Sequence, residues 1–333
     1  MRKLVTVKEI EKILPIEKAD AIELAIIGGW GTVVKKDTLS VGDKVAYFEI
    51  DSALPLSNPV FEFLSKRGVK EIDGKEYHVL KTARLRGVYS QGLAIPLDEL
   101  GFEDREVGED VTSELGVIKY EPPLPTENDD VCGVFPSEIQ KTDSERIQNL
   151  FPFYETLKEY EWVATEKLDG MSCTVHCNEN NEIQVFSRNY EVKNNEGSAY
   201  WGAVKNHPEL VDGLNPGRTV QGEVVGPGIQ KNRLGLDSVE LRVFDVLVDG
   251  LPIPREEWSE IERKHAVPIR AEYNVLPESP EELIAQVNGL KSVLAKGRQA
   301  EGLVFHTKNG EIPLELGRST FKVINNKYLL KQR

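Results

Sequence analysis

The sequence predicts an α+β chain of two domains, an N-terminal OB-type β-barrel and a second domain of antiparallel sheets with flanking helices. Three observations predict it. Short strand-like runs broken by glycine fill residues 1–125, with little helix among them, the pattern of a small closed barrel. An acidic, proline-containing stretch, Glu121-Pro122-Pro123-Leu124-Pro125-Thr126-Glu127-Asn128-Asp129-Asp130, lacks apolar periodicity and reads as a stiffened linker. Beyond it, alternating strand runs are interleaved with segments of helical period. The boundary is placed at 125/126, giving domains 1–125 and 126–333; a chain of 333 residues has room for two cores.

A formal net charge of −14 argues against broad, nonspecific attraction to nucleic acid, though not against a local basic groove. Acids concentrate between Asp98 and Asp130. Bases gather at Lys35-Lys36, at Lys66-Arg67, at Lys81, Arg84 and Arg86, and at Lys231 and Arg233. No apolar run reaches the ~20 residues of a membrane span. Met1-Arg2-Lys3-Leu4-Val5 runs directly into strand pattern without a signal-peptide core. The three cysteines, Cys132, Cys173 and Cys177, do not make a disulfide framework, and a cytoplasmic protein is expected. Cys173 and Cys177 share one face of a strand and His176 takes the other, so no zinc site is read there.

In the first domain, Leu4 to Val7 opens as strand and Ala21 to Val34 carries apolar residues with a break at Gly28-Gly29. Gly42 to Ile50 is a turn entering a strong strand. Asn58 to Lys66 reads as a short helix, with Asn58 as cap and Pro59 at its first position. Tyr77–Leu80, Thr82–Leu85 and Gly92–Ile95 give further strands, and Leu97–Gly101 a helical turn. The segment Arg84-Leu85-Arg86-Gly87-Val88-Tyr89-Ser90-Gln91-Gly92 combines two arginines, an aromatic and two glycines. That mixture suits phosphate and base contacts, and makes Arg84 and Arg86 nucleic-acid-binding candidates; an exposed hairpin explains it equally.

In the second domain, Asp143 or Ser144 is the expected cap of a short helix. Thr165-Glu166-Lys167-Leu168-Asp169-Gly170 follows the apolar run Trp162-Val163-Ala164. Residues i and i+2 of a strand share a face, so Lys167 and Asp169 project together, and Gly170 permits a turn or a close approach. Next come a strand ending in Ser187-Arg188-Asn189, a helix over Ser198–Asn206, and strands Thr219–Gly226 and Leu241–Leu247. Pro254–His265 and Ser279–Ala295 have helical period. Ala300–Phe305 and Thr320–Asn325 are the last strands. Lys167, Glu223, Glu301 and Lys322 each place a charge in an apolar β-run, where an unpaired charge is costly. One shared cleft for all four is the economical explanation.

These parts resemble a known family. Lys167-x-Asp169-Gly170, Ser187-Arg188-Asn189, Gly222-Glu223, Phe244-Asp245-Val246, Glu301-Gly302-Leu303-Val304 and Phe321-Lys322-Val323-Ile324 stand in the order of motifs I, Ia, III, IIIa, IV and V of the covalent nucleotidyltransferases, which include DNA and RNA ligases and mRNA capping enzymes. The match spans residues 165 to 325. DNA ligases and capping enzymes carry their OB domain after motif V, whereas here the barrel comes first. That order, with Gly42 to Phe48 in the barrel and Lys141-Thr142-Asp143 to Arg146-Ile147-Gln148-Asn149 ahead of motif I, is similar to the Deinococcus-type ATP-dependent RNA ligases.

The resemblance implies an ATP-grasp-like nucleotidyltransferase domain, ATP as substrate, and Mg²⁺ or Mn²⁺. The partner it implies is RNA ends or a nicked RNA-containing duplex, with no membrane and no inferable protein partner. Joining of 3′-OH and 5′-phosphate ends would proceed through lysyl-AMP at Lys167 and an RNA-adenylate. Asp169, Glu223 and Glu301 are the metal candidates. Glu166, Leu168, Asp169, Arg146, Arg188, Glu223 and Lys322 are the ATP-binding candidates beside Lys167, with Glu166 accepting from the adenine amino group and Tyr200 or Trp201 stacking on the ring. Asp169 alternatively contacts the ribose. The chemistry agrees: a lysine attacks only when neutral, and cations lower its pKa. Thr320 departs from the family, standing where many relatives have a basic residue; Arg318 is the nearest replacement. The alternatives are a nick-sealing DNA ligase and a noncatalytic nucleic-acid-binding protein with a ligase-like fold.

Overall fold

In the computed structural model, residues 3–28, 30–120, 131–136, 139–313, 316 and 318–330 are described, with Tyr89 described by its backbone alone. The linker expected over 121–130, and Gly29 of the Gly28-Gly29 break, lie outside them. The chain divides into two compact units, Met1–Pro123 with Leu329–Arg333, and Leu124–Tyr328.

The first unit is built from short antiparallel strands. Lys44–Phe48 pairs with Val5–Glu9 on one side and Leu93–Pro96 on the other. Ala46 and Phe48 enter one core with Val5, Val7 and Leu54, whereas Val45 and Tyr47 enter another with Ile27 and Trp30. The strand is therefore buried on both faces, which is why it reads as an unbroken apolar run. Lys12–Pro15, Ile22–Ile27 and Trp30–Lys35 form a meander, and Gly28 supplies the left-handed turn at φ +55°. The helix expected over Asn58–Lys66 is a 3-10 helix, Pro59–Arg67, with Pro59 in its first turn and the Asn58 side chain accepting from Val60 N. The helical turn at Leu97–Gly101 is present as Asp98–Leu100.

The second unit is two facing sheets. Among the described residues one runs in the order Val131–Val134, Tyr190–Val192, Ile183–Phe186, Met171–Cys177, Arg218–Val225, Glu240–Val248, Leu251–Pro252. The other runs Glu145–Arg146, Thr320–Ile324, Gly302–Thr307, Trp162–Lys167, Ile269–Tyr273. Every pairing in them is antiparallel except that of Glu145–Arg146 with Thr320–Ile324. Met171, Cys173, Val175, Val220, Val243 and Val246 face away from the cleft onto Tyr200, Leu210 and Trp258. Trp162, Ala164, Phe305, Phe321 and Val323 build the matching core behind the other sheet. The faces left between the sheets carry charged residues among apolar ones such as Val163 and Phe244.

Three helical expectations are corrected. Asp143–Asn149 is a two-residue strand, Glu145–Arg146, followed by a 3-10 helix, Ile147–Phe153, because Ser144 Oγ bonds Thr320 Oγ1 at 2.8 Å instead of capping. Pro254–His265 is interrupted: Arg255–Glu257 is 3-10, and the α-helix Glu260–Lys264 begins at a new capping box on Ser259. Ser279–Ala295 shortens to Pro280–Val287, stopped at Asn288 and at Gly289, whose φ is +87°. The strand Ile269–Tyr273 was not expected. Among the described residues no helix is long and apolar enough to cross a membrane.

Candidate active site

Lys167 ends the Trp162–Lys167 strand opposite Gly302, and Thr165 lies opposite Val304. Val304 in turn lies opposite Lys322. Side chains alternate along each strand, so Lys167, Thr165, Val304 and Lys322 project from one face, towards the other sheet. Lys167 Nζ is 2.8 Å from Glu301 Oε1, with both side chains largely buried. From the facing sheet, Glu223 Oε1 accepts from Gly170 N at 3.0 Å. That bond requires close approach: a Cβ at Gly170 would lie 2.3 Å from Val224 O. Gly302 is under the same constraint, 2.2 Å from Val323 O. Both approaches are to a neighbouring strand of the same sheet, where a side chain at either position would push the strands apart.

The electrostatics follow from burial. Desolvation pulls the Lys167 pKa down, but the carboxylates of Glu301, Glu223 and Asp169 outweigh it, and the amine is held above its usual range. Burial pushes Glu223 up to about 7 against the pull of Lys167. Glu301 is raised for the same reason, and Lys167 and Lys322 oppose the shift. The lysine is thus an ammonium ion among carboxylates, the reverse of the lowered pKa a nucleophile needs, unless further positive charge is brought in.

Asp169 is drawn away from the lysine. Its Oδ2 accepts a short hydrogen bond from Tyr328 and pairs with Arg233 Nε at 3.0 Å. Arg233 lies over the Tyr328 ring, 4.7 Å from its centroid. Arg188 pairs with Asp143 at 2.6 Å. Arg146 lies opposite Lys322 in the parallel pairing. Arg318 is half-buried; burial lowers its pKa, and the nearby Asp143 and Glu145 raise it. Arg188 and Arg318 therefore meet at Asp143, next to Ser144, which bonds Thr320.

Several expected contacts take other forms. Glu166 is buried and its Oε2 accepts from Arg270 Nη1 and Val293 N, both at 3.0 Å. Leu168 is packed with Val225 and Val267, so its side chain is wall. Tyr200 is in the core behind the seven-stranded sheet, and Trp201 Nε1 donates to Val192 O beside it. Neither aromatic reaches the cleft, because the helix Ala199–Lys205 buries them on the opposite face. Phe244, with Asp245, Thr165 and His306, does line a pocket between the sheets. Arg84 and Arg86 belong to the first unit, exposed on the hairpin of Ala83–Leu85 and Val88–Ser90. Cys173 and Cys177 are buried free thiols.

Arg233, Tyr328 and Arg270 were missed as site residues. Arg233 had a signal in its basic cluster with Lys231; Tyr328 and Arg270 follow or precede the motifs and had none.

The acids fit a hard divalent cation chemically. Glu301 Oε2 is buried with no hydrogen-bond partner, an acceptor left open beside a second buried carboxylate, Glu223. The three carboxylates are not gathered tightly, since Asp169 is held by Tyr328 and Arg233. Among the described residues the group whose ligand atoms all lie within 4.8 Å of one another is His207, Glu209 and His265.

An OB-fold domain model matches residues 4–97 and an RNA ligase model residues 160–324. No curated relative matches the chain. Solved structures of a Naegleria gruberi RNA ligase are similar over nearly everything. The mutant with ATP and Mn is 34% identical, with a TM-score of 0.89 and 99% of each chain covered. The form with PPi is 35% identical at 0.89, again over 99% of each. A second mutant, with AMP and Mn, gives 34% and 0.89 over 99% of both chains. With the motif lysine, both buried glutamates and the facing sheets in register, the chain belongs to the RNA ligase family.

Proposed function

We propose that the chain is an ATP-dependent RNA ligase that works in the cytosol, of the Deinococcus type. It joins 3′-OH and 5′-phosphate ends at nicks whose 3′-OH strand is RNA. The observation that carries this reading is a half-buried Lys167, 2.8 Å from Glu301 and within the field of Glu223 and Asp169, with Lys322 projecting from the same face. The relatives solved with ATP, AMP, PPi and Mn support it.

Lys167 Nζ, once neutral, attacks the α-phosphorus of ATP. The bond to the β-phosphate oxygen breaks, pyrophosphate leaves, and the nitrogen, now cationic, gives up one of its two protons to solvent. A 5′-phosphate oxygen of the nucleic acid then attacks the lysyl-AMP phosphorus; the P–N bond breaks and the amine is reprotonated. The 3′-OH finally attacks the activated 5′-phosphorus and AMP leaves. Lys322, Arg146, Arg188 and Arg318 hold phosphate oxygens and stabilise the charge that develops on them. Glu301 and Glu223, with Asp169 at the edge of the site, would hold a divalent cation, Mg²⁺ or Mn²⁺. When bound it polarises the α-phosphate and lowers the lysine pKa.

The test uses nicked duplexes that differ only in whether the 3′-OH strand is RNA or DNA, with ATP and Mn²⁺. Sealing of the RNA nick, with one AMP released per joint, is expected. Equal sealing of both points to a DNA ligase. Binding without sealing of either points to a noncatalytic protein.

A further inference from the structure

Behind the seven-stranded sheet, on the face away from Lys167, two histidines and a glutamate meet. His207 immediately precedes the helix Pro208–Asp212, Glu209 lies in its first turn, and His265 follows the helix Glu260–Lys264. His265 Nε2 is 2.9 Å from Glu209 Oε1, and His207 Nδ1 is 4.0 Å from the same oxygen. The imidazole rings are 4.5 Å apart and tilted by 56°.

A hydrogen bond from His265 to Glu209 accounts for two of the three. It leaves His207 unexplained. Its Nδ1 is too far from Glu209 to hydrogen-bond, and its Nε2 is buried with no partner. Coordination through Nδ1 would satisfy the nitrogen nearest Glu209, while Nε2 would stay buried without a partner.

We infer that His207, Glu209 and His265 form a site for Zn²⁺, separate from the catalytic cleft. Two imidazoles and one carboxylate are a three-ligand set for zinc, with water in the fourth position. Imidazole nitrogen suits zinc and does not suit the hard cations favoured by the all-oxygen set near Lys167, so the two sites select different metals. Bonds of about 2.0–2.1 Å to a tetrahedral ion place ligand atoms about 3.3 Å apart. The observed 2.9 and 4.0 Å to Glu209 bracket that value, and all three ligand atoms lie within 4.8 Å of one another.

The ligands stand on anchored backbone. His265 O accepts from Val243 N at 2.9 Å, and His207 N donates to Val204 O at 3.0 Å. His265 leads into Ala266 and Val267; Val267 N donates to Val243 O, and Val267 packs on Leu168. Zinc would clamp the helix after Ala199–Lys205 to the segment that backs the residue next to Lys167.

The test is zinc content and zinc affinity of the full chain. Dialysed wild-type protein is expected to retain or rebind one Zn²⁺ per chain, measured by elemental analysis and by competition with a chromophoric chelator. Co²⁺ in its place should show the visible absorption of a four-coordinate ion. His207→Gln is the clean variant, since the His207 imidazole has no hydrogen bond to lose. It should stay folded by circular dichroism yet bind Zn²⁺ more than ~100-fold more weakly, beyond the ~10–100-fold cost of an outer-sphere partner. Zn²⁺ should raise the melting midpoint of wild type and not of His207→Gln. Glu301→Gln should leave zinc binding unchanged, which separates the site from the catalytic metal. No stoichiometric zinc in wild type, or equal affinity in His207→Gln, would overturn the inference.

Discussion

Glu301 grips Lys167 with one oxygen, 2.8 Å from Nζ, and holds its other oxygen buried and unbonded. The first contact keeps the amine protonated and unreactive; the second is an open place for a cation. In the reaction proposed for this site, that contact would be released when positive charge replaces the lysine as the partner of the carboxylates. Because the Lys167 pKa is raised, the neutral fraction grows with pH, and lysyl-AMP formation rises with it. Increasing Mn²⁺ should move that rise to lower pH. Initial rates of protein adenylylation across pH at several Mn²⁺ concentrations check this; a limb that stays fixed contradicts it.

Glu301→Ala removes both that contact and the open acceptor. Loss of one preorganised electrostatic group costs on the order of 10²–10³ in rate. A fall of that size in lysyl-AMP formation is expected, with ATP binding largely kept, as equilibrium dialysis would read.

Arg270→Met should destabilise the fold. Glu166 is buried against Arg270, and removing one partner of a buried pair costs about 3–5 kcal/mol. Urea unfolding measures it. Glu166→Gln in the same chain should recover most of the loss, which an adenine-binding role alone for Glu166 would not produce.

Gly170→Ala forces a methyl against the Val224 carbonyl, where only backbone could yield. Overpacking of this kind costs about 1–3 kcal/mol. It should also break the Glu223–Gly170 bond, so both melting midpoint and adenylylation should fall.

Asp245 is pushed by burial from 3.8 up to about 7. A raised folded-state value means its contribution to stability is whole below about 3.8 and is lost as pH rises through about 7. Asp245→Asn should therefore melt higher than wild type at pH 8 and lose that gain below pH ~4. For a unit the size of Leu124–Tyr328, which carries Asp245, each kcal/mol moves the midpoint by about 2–4 °C, a shift calorimetry resolves.

The two sheets and the site charges were legible because each site residue interrupts a run of otherwise apolar strand. Lys167, Glu223, Glu301 and Lys322 all showed themselves that way, and Gly170 and Gly302 stood beside them. Helix ends were less legible: Ser259 and Gly289 reset or stop helices through capping and backbone angle, which apolar period does not register. Aromatic placement failed for Tyr200 and Trp201 because helical period gives a buried face without saying which side of a sheet it covers. The partners of Asp169 and Glu166 come from Arg233, Tyr328 and Arg270, whose positions only tertiary packing decides. His207, Glu209 and His265 were invisible for the same reason, being separated by the strands they lie behind.

The central claim is that Lys167 becomes covalently joined to AMP. Wild-type protein incubated with ATP labelled at the α-phosphate and Mn²⁺ should take up label that survives denaturation and maps to the peptide carrying Lys167. Folded Lys167→Ala should take up none. Label on that variant, or at another residue of wild type, would contradict the account.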